Sequence, residues 1–117
     1  CFDILISVNT LHYSQGIVGI NKALAEFSRV VTKGGKVFIM TSGPRHKIVQ
    51  NSKRHNILDW EVLDFGFRTS DRLSFFDDTL HFKDVLSEHF DNVEVGRLTE
   101  DYSTLTLDFM FSICSNK

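Results

Sequence analysis

In ALAEFSRVVTKGGKVFI (residues 23–39) a helical apolar period gives way, across two glycines, to a continuous apolar run. Over residues 18–31 the side chains of Ile20, Ala23, Leu24, Phe27, Val30 and Val31 fall on one stripe of a helix. Lys22, Glu26 and Arg29 lie off that stripe, at spacings that permit ion pairs along the outer face. Lys33 puts positive charge at the helix C-terminus, and Gly34 can take the left-handed conformation that caps it. Residues 36–41, KVFIMT, follow as a buried strand. Upstream, FDILISV (residues 2–8) is a similar run that stops at the polar pair Asn9-Thr10. Strand, helix, strand with tight connections is a βαβ crossover, so the two strands are expected to be parallel neighbours.

Downstream, residues 44–55 are polar and basic, with Arg45, His46, Lys47, Lys53, Arg54 and His55. The segment to Phe76 predicts a short helix and then a hairpin turning near Thr69-Ser70-Asp71. Asp77-Asp78 is a good N-cap position. Leu80, Phe82, Val85, Leu86 and Phe90 then mark a second amphipathic helix. A strand opens at Val93 and runs to about Leu98. In the last strand Leu105, Leu107, Phe109, Phe111 and Ile113 all point one way. The short turn between these two strands requires antiparallel pairing. Asp108 shares its period with Thr106, Met110, Ser112 and Cys114 on the less apolar face, where a solvated or paired acid is expected.

The bulk numbers fit one small unit. The 117 residues are 42% hydrophobic with a net charge of -2, which gives no reason to expect nucleic acid or an anionic membrane as partner. No apolar run approaches the ~20 residues that span a bilayer. Cys1 and Cys114 have no metal-ligand spacing and read as free thiols of a reducing, cytoplasmic compartment. No metal site is expected. The chain opens at Cys1, directly before an apolar run, and this predicts a fragment.

The order of elements and the wording of two of them resemble the C-terminal half of class I S-adenosylmethionine-dependent methyltransferases. FDILISVNTLHY (residues 2–13) is similar to the family's fourth strand and the loop after it, and residues 23–39 to its next helix, Gly-Gly turn and fifth strand. Lys33 stands where the family usually has proline. The resemblance covers nearly all of residues 1–117. It implies a partial doubly wound, Rossmann-like α/β sheet whose parallel strands end in an antiparallel hairpin, the last strand inserted beside the fifth. It implies S-adenosylmethionine as cofactor and transfer of its methyl group to oxygen or nitrogen of a small-molecule acceptor. The glycine-rich loop and the ribose-holding acid of the family have no counterpart here, so the chain alone is expected to be inactive.

The resemblance places Val8, Asn9 and Thr10 against the methionine part of the cofactor, where the bland alternative is a strand end and turn cap. His12 is the candidate general base for a hydroxyl or amine nucleophile, or else a residue that shapes the loop by hydrogen bonds. Tyr13, Arg45 and His46 are the candidate acceptor-binding residues, with the basic groups suited to a phosphate or carboxylate. Lys53-Arg54-His55 has a solvated helix face as its default. Trp60, Phe65, Phe67 and Phe75 form either an apolar lid or ordinary packing. Two rival functions are a non-catalytic module that keeps the fold and half of a nicotinamide-dependent oxidoreductase; the terminal hairpin counts against the second. An unpaired apolar edge at the first strand predicts association, with a homodimer through that strand as one form.

Overall fold

The computed structural model describes residues 2–117; Cys1 lies outside them. Within the described residues, seven strands and three α-helices form one mixed α/β structure. Strand β1 (Phe2–Val8) leads through a 3-10 turn (Leu11–Tyr13) into α1 (Gly16–Val30) and β2 (Val31–Ser42). Helix α2 (Lys47–Gln50) precedes the short strands β3 (Ser52–Asn56), β4 (Asp59–Val62) and β5 (Arg72–Leu73), which make a separate antiparallel sheet. Helix α3 (Thr79–Ser87) and the long strands β6 (Phe90–Asp101) and β7 (Thr106–Asn116) complete the chain.

The main sheet has the order β1-β2-β7-β6. β1 and β2 are parallel, with Leu5 opposite Val37 and Val8 opposite Met40. β7 inserts antiparallel beside β2, and β6 pairs with its other side. Both long helices lie on one face. Ile20 and Leu24 from α1 and Phe82, Val85 and Leu86 from α3 pack on Val37, Ile39, Met110 and Cys114. As expected, Asp78 caps α3, its carboxylate accepting from the His81 N–H at 2.8 Å.

The glycine pair works differently from the helix-cap expectation. Helix α1 ends at Val30. Its last carbonyls are met from β7, where Asn116 Nδ2 donates to Ser28 and Val31 oxygens at 2.9 and 2.8 Å. Gly34, with φ +78, instead serves a turn that loops residues 32–35 out of the ladder between the pairs Phe2–Val31 and Ile4–Lys36. A Cβ on Gly35 would come within 2.5 Å of Val31 and 2.9 Å of the Asp3 carbonyl, so close approach requires glycine there.

The last strand keeps its expected period, and Asp108 on its other face is paired, with Arg97. Leu107, Phe109, Phe111 and Ile113 do share one face, but it is the face without helices. Across it run Ile4, Ile6, Val8, Phe38, Met40 and Leu98, and Ile6 is 68% exposed. The helix-covered face carries Asp108, Met110, Ser112 and Cys114, all buried. Burial pushes the Cys114 thiol up to about 11, which keeps it protonated and inert.

In the middle segment the expected antiparallel connection is the long link between β4 and β5, which contains Thr69-Ser70-Asp71, and a second, tight hairpin that was not expected turns at Ile57-Leu58. Leu58 sits at φ +56 and is fully buried, plugging the tip of that hairpin into the main core beside Phe76. A second small core of Ile48, Val49, Val62, Leu73 and Phe75 lies under the short sheet.

Candidate functional site

Parallel pairing brings the C-terminal ends of β1 and β2 to one rim, where sheets of this kind bind their ligands. Asn9 continues the ladder, its N–H donating to the Met40 carbonyl at 2.9 Å, and takes φ +55. Its Oδ1 is buried with no hydrogen-bond partner. Val8 and Thr10 beside it are exposed, and the Thr10 hydroxyl is 2.8 Å from that of Ser7.

The 3-10 turn then carries His12 inward, leaving it 7% exposed. Ser74 holds this turn from the other side of the site: its N–H donates to the His12 carbonyl at 2.8 Å, its hydroxyl donates to the Ser14 carbonyl, and it accepts from Gly16 N–H at 3.0 Å. The His12 ring packs against Tyr13 at 4.5 Å and Phe75 at 6.3 Å, and its Nδ1 is buried with no partner. Burial, and then the charges of Arg68 and His46, push the His12 imidazole down to about 4.

The loop after β2 supplies the second histidine. His46 is buried at the N-cap of α2, where its Nδ1 accepts from the Ile48 N–H at 3.1 Å. In the neutral ring the proton is therefore on Nε2. Its ring meets Phe109 edge-on at 5.2 Å. Burial lowers its pKa, partly offset by the charge of Asp108.

Asp108 fixes this loop. Fully buried, it accepts from Arg97 Nε and Nη2 at 2.8 and 2.7 Å, from the Thr99 hydroxyl at 2.7 Å, and from the Arg45 N–H at 2.9 Å. Burial pushes the carboxyl up, but these donors outweigh it and hold the group below its ordinary range. The backbone of Gly43 passes so close that a Cβ there would lie 2.4 Å from Asp108 Oδ2.

Of the expected residues, Asn9, His12, Tyr13 and His46 thus meet at one rim. Arg45 does not join them; its guanidinium turns outward to Asp101 at 3.5 Å. Lys53, Arg54 and His55 lie exposed on β3, where Arg54 pairs with Asp77 and His55 with Glu61. Phe75 is core, and Trp60 and Phe65 pack against the second core. Phe67 alone of the four aromatics is open, 90% exposed. Arg68, Ser74 and the anchoring role of Asp108 carry no periodic or spacing signal in the sequence. Three clefts lie elsewhere on the molecule: one of about 360 Å³ at Gln15, Asp59 and Arg72, one of about 340 Å³ at Lys47, Asp64, Phe65 and Phe67, and one of about 580 Å³ at Pro44, Gln50, Trp60 and Phe76; Asn9, His12, Tyr13 and His46 line none of the three.

The four-stranded sheet, in which a reversed strand separates the parallel pair from the edge, is a mixed α/β arrangement that solved methyltransferase structures share. An N-methyltransferase, NodS, from Bradyrhizobium japonicum in complex with S-adenosyl-L-homocysteine matches 97% of this chain over 45% of its own, at TM-score 0.60 and 11% identity. A SAM-dependent methyltransferase from Methanosarcina mazei matches 98% over 59%, at TM-score 0.67 and 13% identity. One from Thermotoga maritima, described as a possible histamine N-methyltransferase, matches 98% over 56%, at TM-score 0.66 and 17% identity. The chain spans about half the length of these structures. No protein family and no curated protein matches the sequence.

Proposed function

We propose that the chain is the C-terminal half of a doubly wound methyltransferase domain, whose intact protein moves a methyl group from S-adenosylmethionine to oxygen or nitrogen of a small-molecule acceptor. The observation that carries this reading is the strand order β1-β2-β7-β6, with two buried histidines at the rim where β1 and β2 end. The uncovered apolar face supports the reading of this chain as half of a domain, because parallel α/β sheets normally carry helices on both faces.

The orphaned Oδ1 of Asn9 suits a cationic donor such as the ammonium of the cofactor's methionine part, with Val8 and Thr10 bordering it at the same strand end. Bound there, the cofactor supplies an electrophilic methyl group on a sulfonium sulfur. The chain's own residues then hold the acceptor's oxygen or nitrogen in line and receive its proton. His12 is the group for that proton, since burial keeps its imidazole neutral and its Nδ1 has no other partner. At about 4 it is a weak base by itself, and a negative charge on the acceptor would strengthen it. Tyr13 and His46 border the place where such an acceptor sits.

The test is formation of S-adenosylhomocysteine by the polypeptide that joins this chain to a glycine-loop half, over a panel of hydroxyl and amine acceptors. The reading expects turnover that His12→Ala lowers by 10²-fold or more, on the scale of general-base catalysis, while cofactor affinity stays within a few-fold. No turnover with any acceptor, despite cofactor binding, would favour a non-catalytic module instead.

A further inference from the structure

Arg68 stands out among the groups at the rim. Its guanidinium carbon lies 4.6 Å from the centre of the Tyr13 ring and 5.1 Å from that of Phe67. Aromatic faces at these distances orient the planar group and favour its charge. The nearest carboxylate, Asp71, is 3.8 Å from Nη1, beyond hydrogen-bond range, and among the described residues the guanidinium has no hydrogen-bond acceptor. A cation held by two rings with its donors unused is prepared for an anion from outside. The side chain is 28% exposed, so it is reachable yet partly desolvated, the condition in which a paired charge gains most. Asp71 is its one ion-pair partner among the described residues, and the charge of Arg68 reaches His12, whose pKa it helps to lower. Phe67, 90% exposed, and Tyr13, 43% exposed, leave apolar ring surface uncovered beside the guanidinium.

We propose that Arg68 anchors a carboxylate carried on an aromatic ring, with Tyr13 and Phe67 receiving the ring, so that the acceptor is an aromatic acid presented to His12. The identification as an acceptor rests on the methyltransferase reading; the binding of an aromatic carboxylate does not. The forked donors of arginine match a planar carboxylate in two parallel bonds, and a lysine would offer only a point charge. A carboxylate at Arg68 would also bring to His12 the negative charge that the weak imidazole needs.

The experiment titrates the isotope-labelled 117-residue chain with benzoate, acetate, benzamide and inorganic phosphate, following the Arg68 Nε–Hε and His12 ring signals by NMR. Benzoate is expected to shift both signals saturably, with acetate and benzamide at least ten-fold weaker. Arg68→Lys should lose most of the benzoate response. Phe67→Ser, a change at an exposed ring that leaves the fold alone, should weaken benzoate several-fold and acetate distinctly less. Equal responses to benzoate and acetate would reduce the site to non-specific charge. Phosphate stronger than benzoate would replace the aromatic acid by a phosphorylated ligand. A benzoate response that survives Arg68→Lys would remove Arg68 from the site. Each of the last three results overturns the proposal. Benzoate binding without methyl transfer in the joined protein would leave the anchor standing and remove the catalytic reading.

Discussion

Replacing Ile6 by lysine should leave this fold intact and change how the chain associates. Ile6 lies on the open face of β1 with 68% of its surface already in water, so the substitution removes only the remaining third from burial. Full burial of an isoleucine contributes about 1.5–3 kcal/mol, so the loss here is roughly 0.5–1 kcal/mol. Ile39, on the opposite face of the adjacent strand, is fully buried among α1 and α3 side chains. Its replacement by alanine should cost about 2–5 kcal/mol. The open face and the unpaired edge of β1 share one strand, and we propose that both drive self-association, either edge to edge across a two-fold axis or face to face. Urea unfolding of the three proteins, with sedimentation velocity over a concentration series, reads both quantities. Ile6→Lys should keep the midpoint close to the parent's and shift the distribution toward monomer. An Ile6→Lys protein destabilised as much as Ile39→Ala, or a parent that stays monomeric at all concentrations, would refute the reasoning.

Four further outcomes follow from the same structure. The isolated chain should bind S-adenosylmethionine weakly or not at all, because the backbone donors and ribose acid of a glycine-loop half are needed; micromolar affinity by calorimetry would contradict this. Asp108→Ala, which strands the partners of a buried carboxylate, should lower the unfolding free energy by about 2 kcal/mol, moderated because Arg97 can turn to solvent, and Gly43→Ala should cost about 1–3 kcal/mol by crowding the same group. His12 binds its proton less well folded, at about 4, than unfolded, at 6.5, so its contribution is complete above pH 6.5 and is lost as pH falls toward 4. At about 1.4 kcal/mol per unit this loss is at most about 3.5 kcal/mol, and His12→Gln should flatten the decline in urea midpoint between pH 6.5 and 4.

Both long helices and the last strand were legible because each repeats a period, and the two parallel strands because each is a continuous apolar run. Period 2 in β7 showed that Leu107, Phe109, Phe111 and Ile113 share a face; it contains nothing about which face the helices cover. Asp108 looked like the exception in an apolar strand, whereas Arg97 and Thr99 on β6 make it the centre of the buried side. Gly34 had the chemistry of a helix cap, but Asn116, far along the chain, already satisfies the carbonyls there. Leu58 could not be foreseen as core, since a leucine at positive φ in a turn is held only by its tertiary surroundings. At the site, His12 and His46 were visible as strand-end residues, whereas Arg68 arrives from a loop with no repeating pattern.

We propose that ligand binds where β1 and β2 end. Hydrogen exchange on the polypeptide that joins this chain to a glycine-loop half, with and without S-adenosylhomocysteine, tests it most directly. Protection should appear at residues 8–13 and be absent at residues 32–35, at the opposite end of the same strands. Protection at residues 32–35 with none at residues 8–13 would contradict the account.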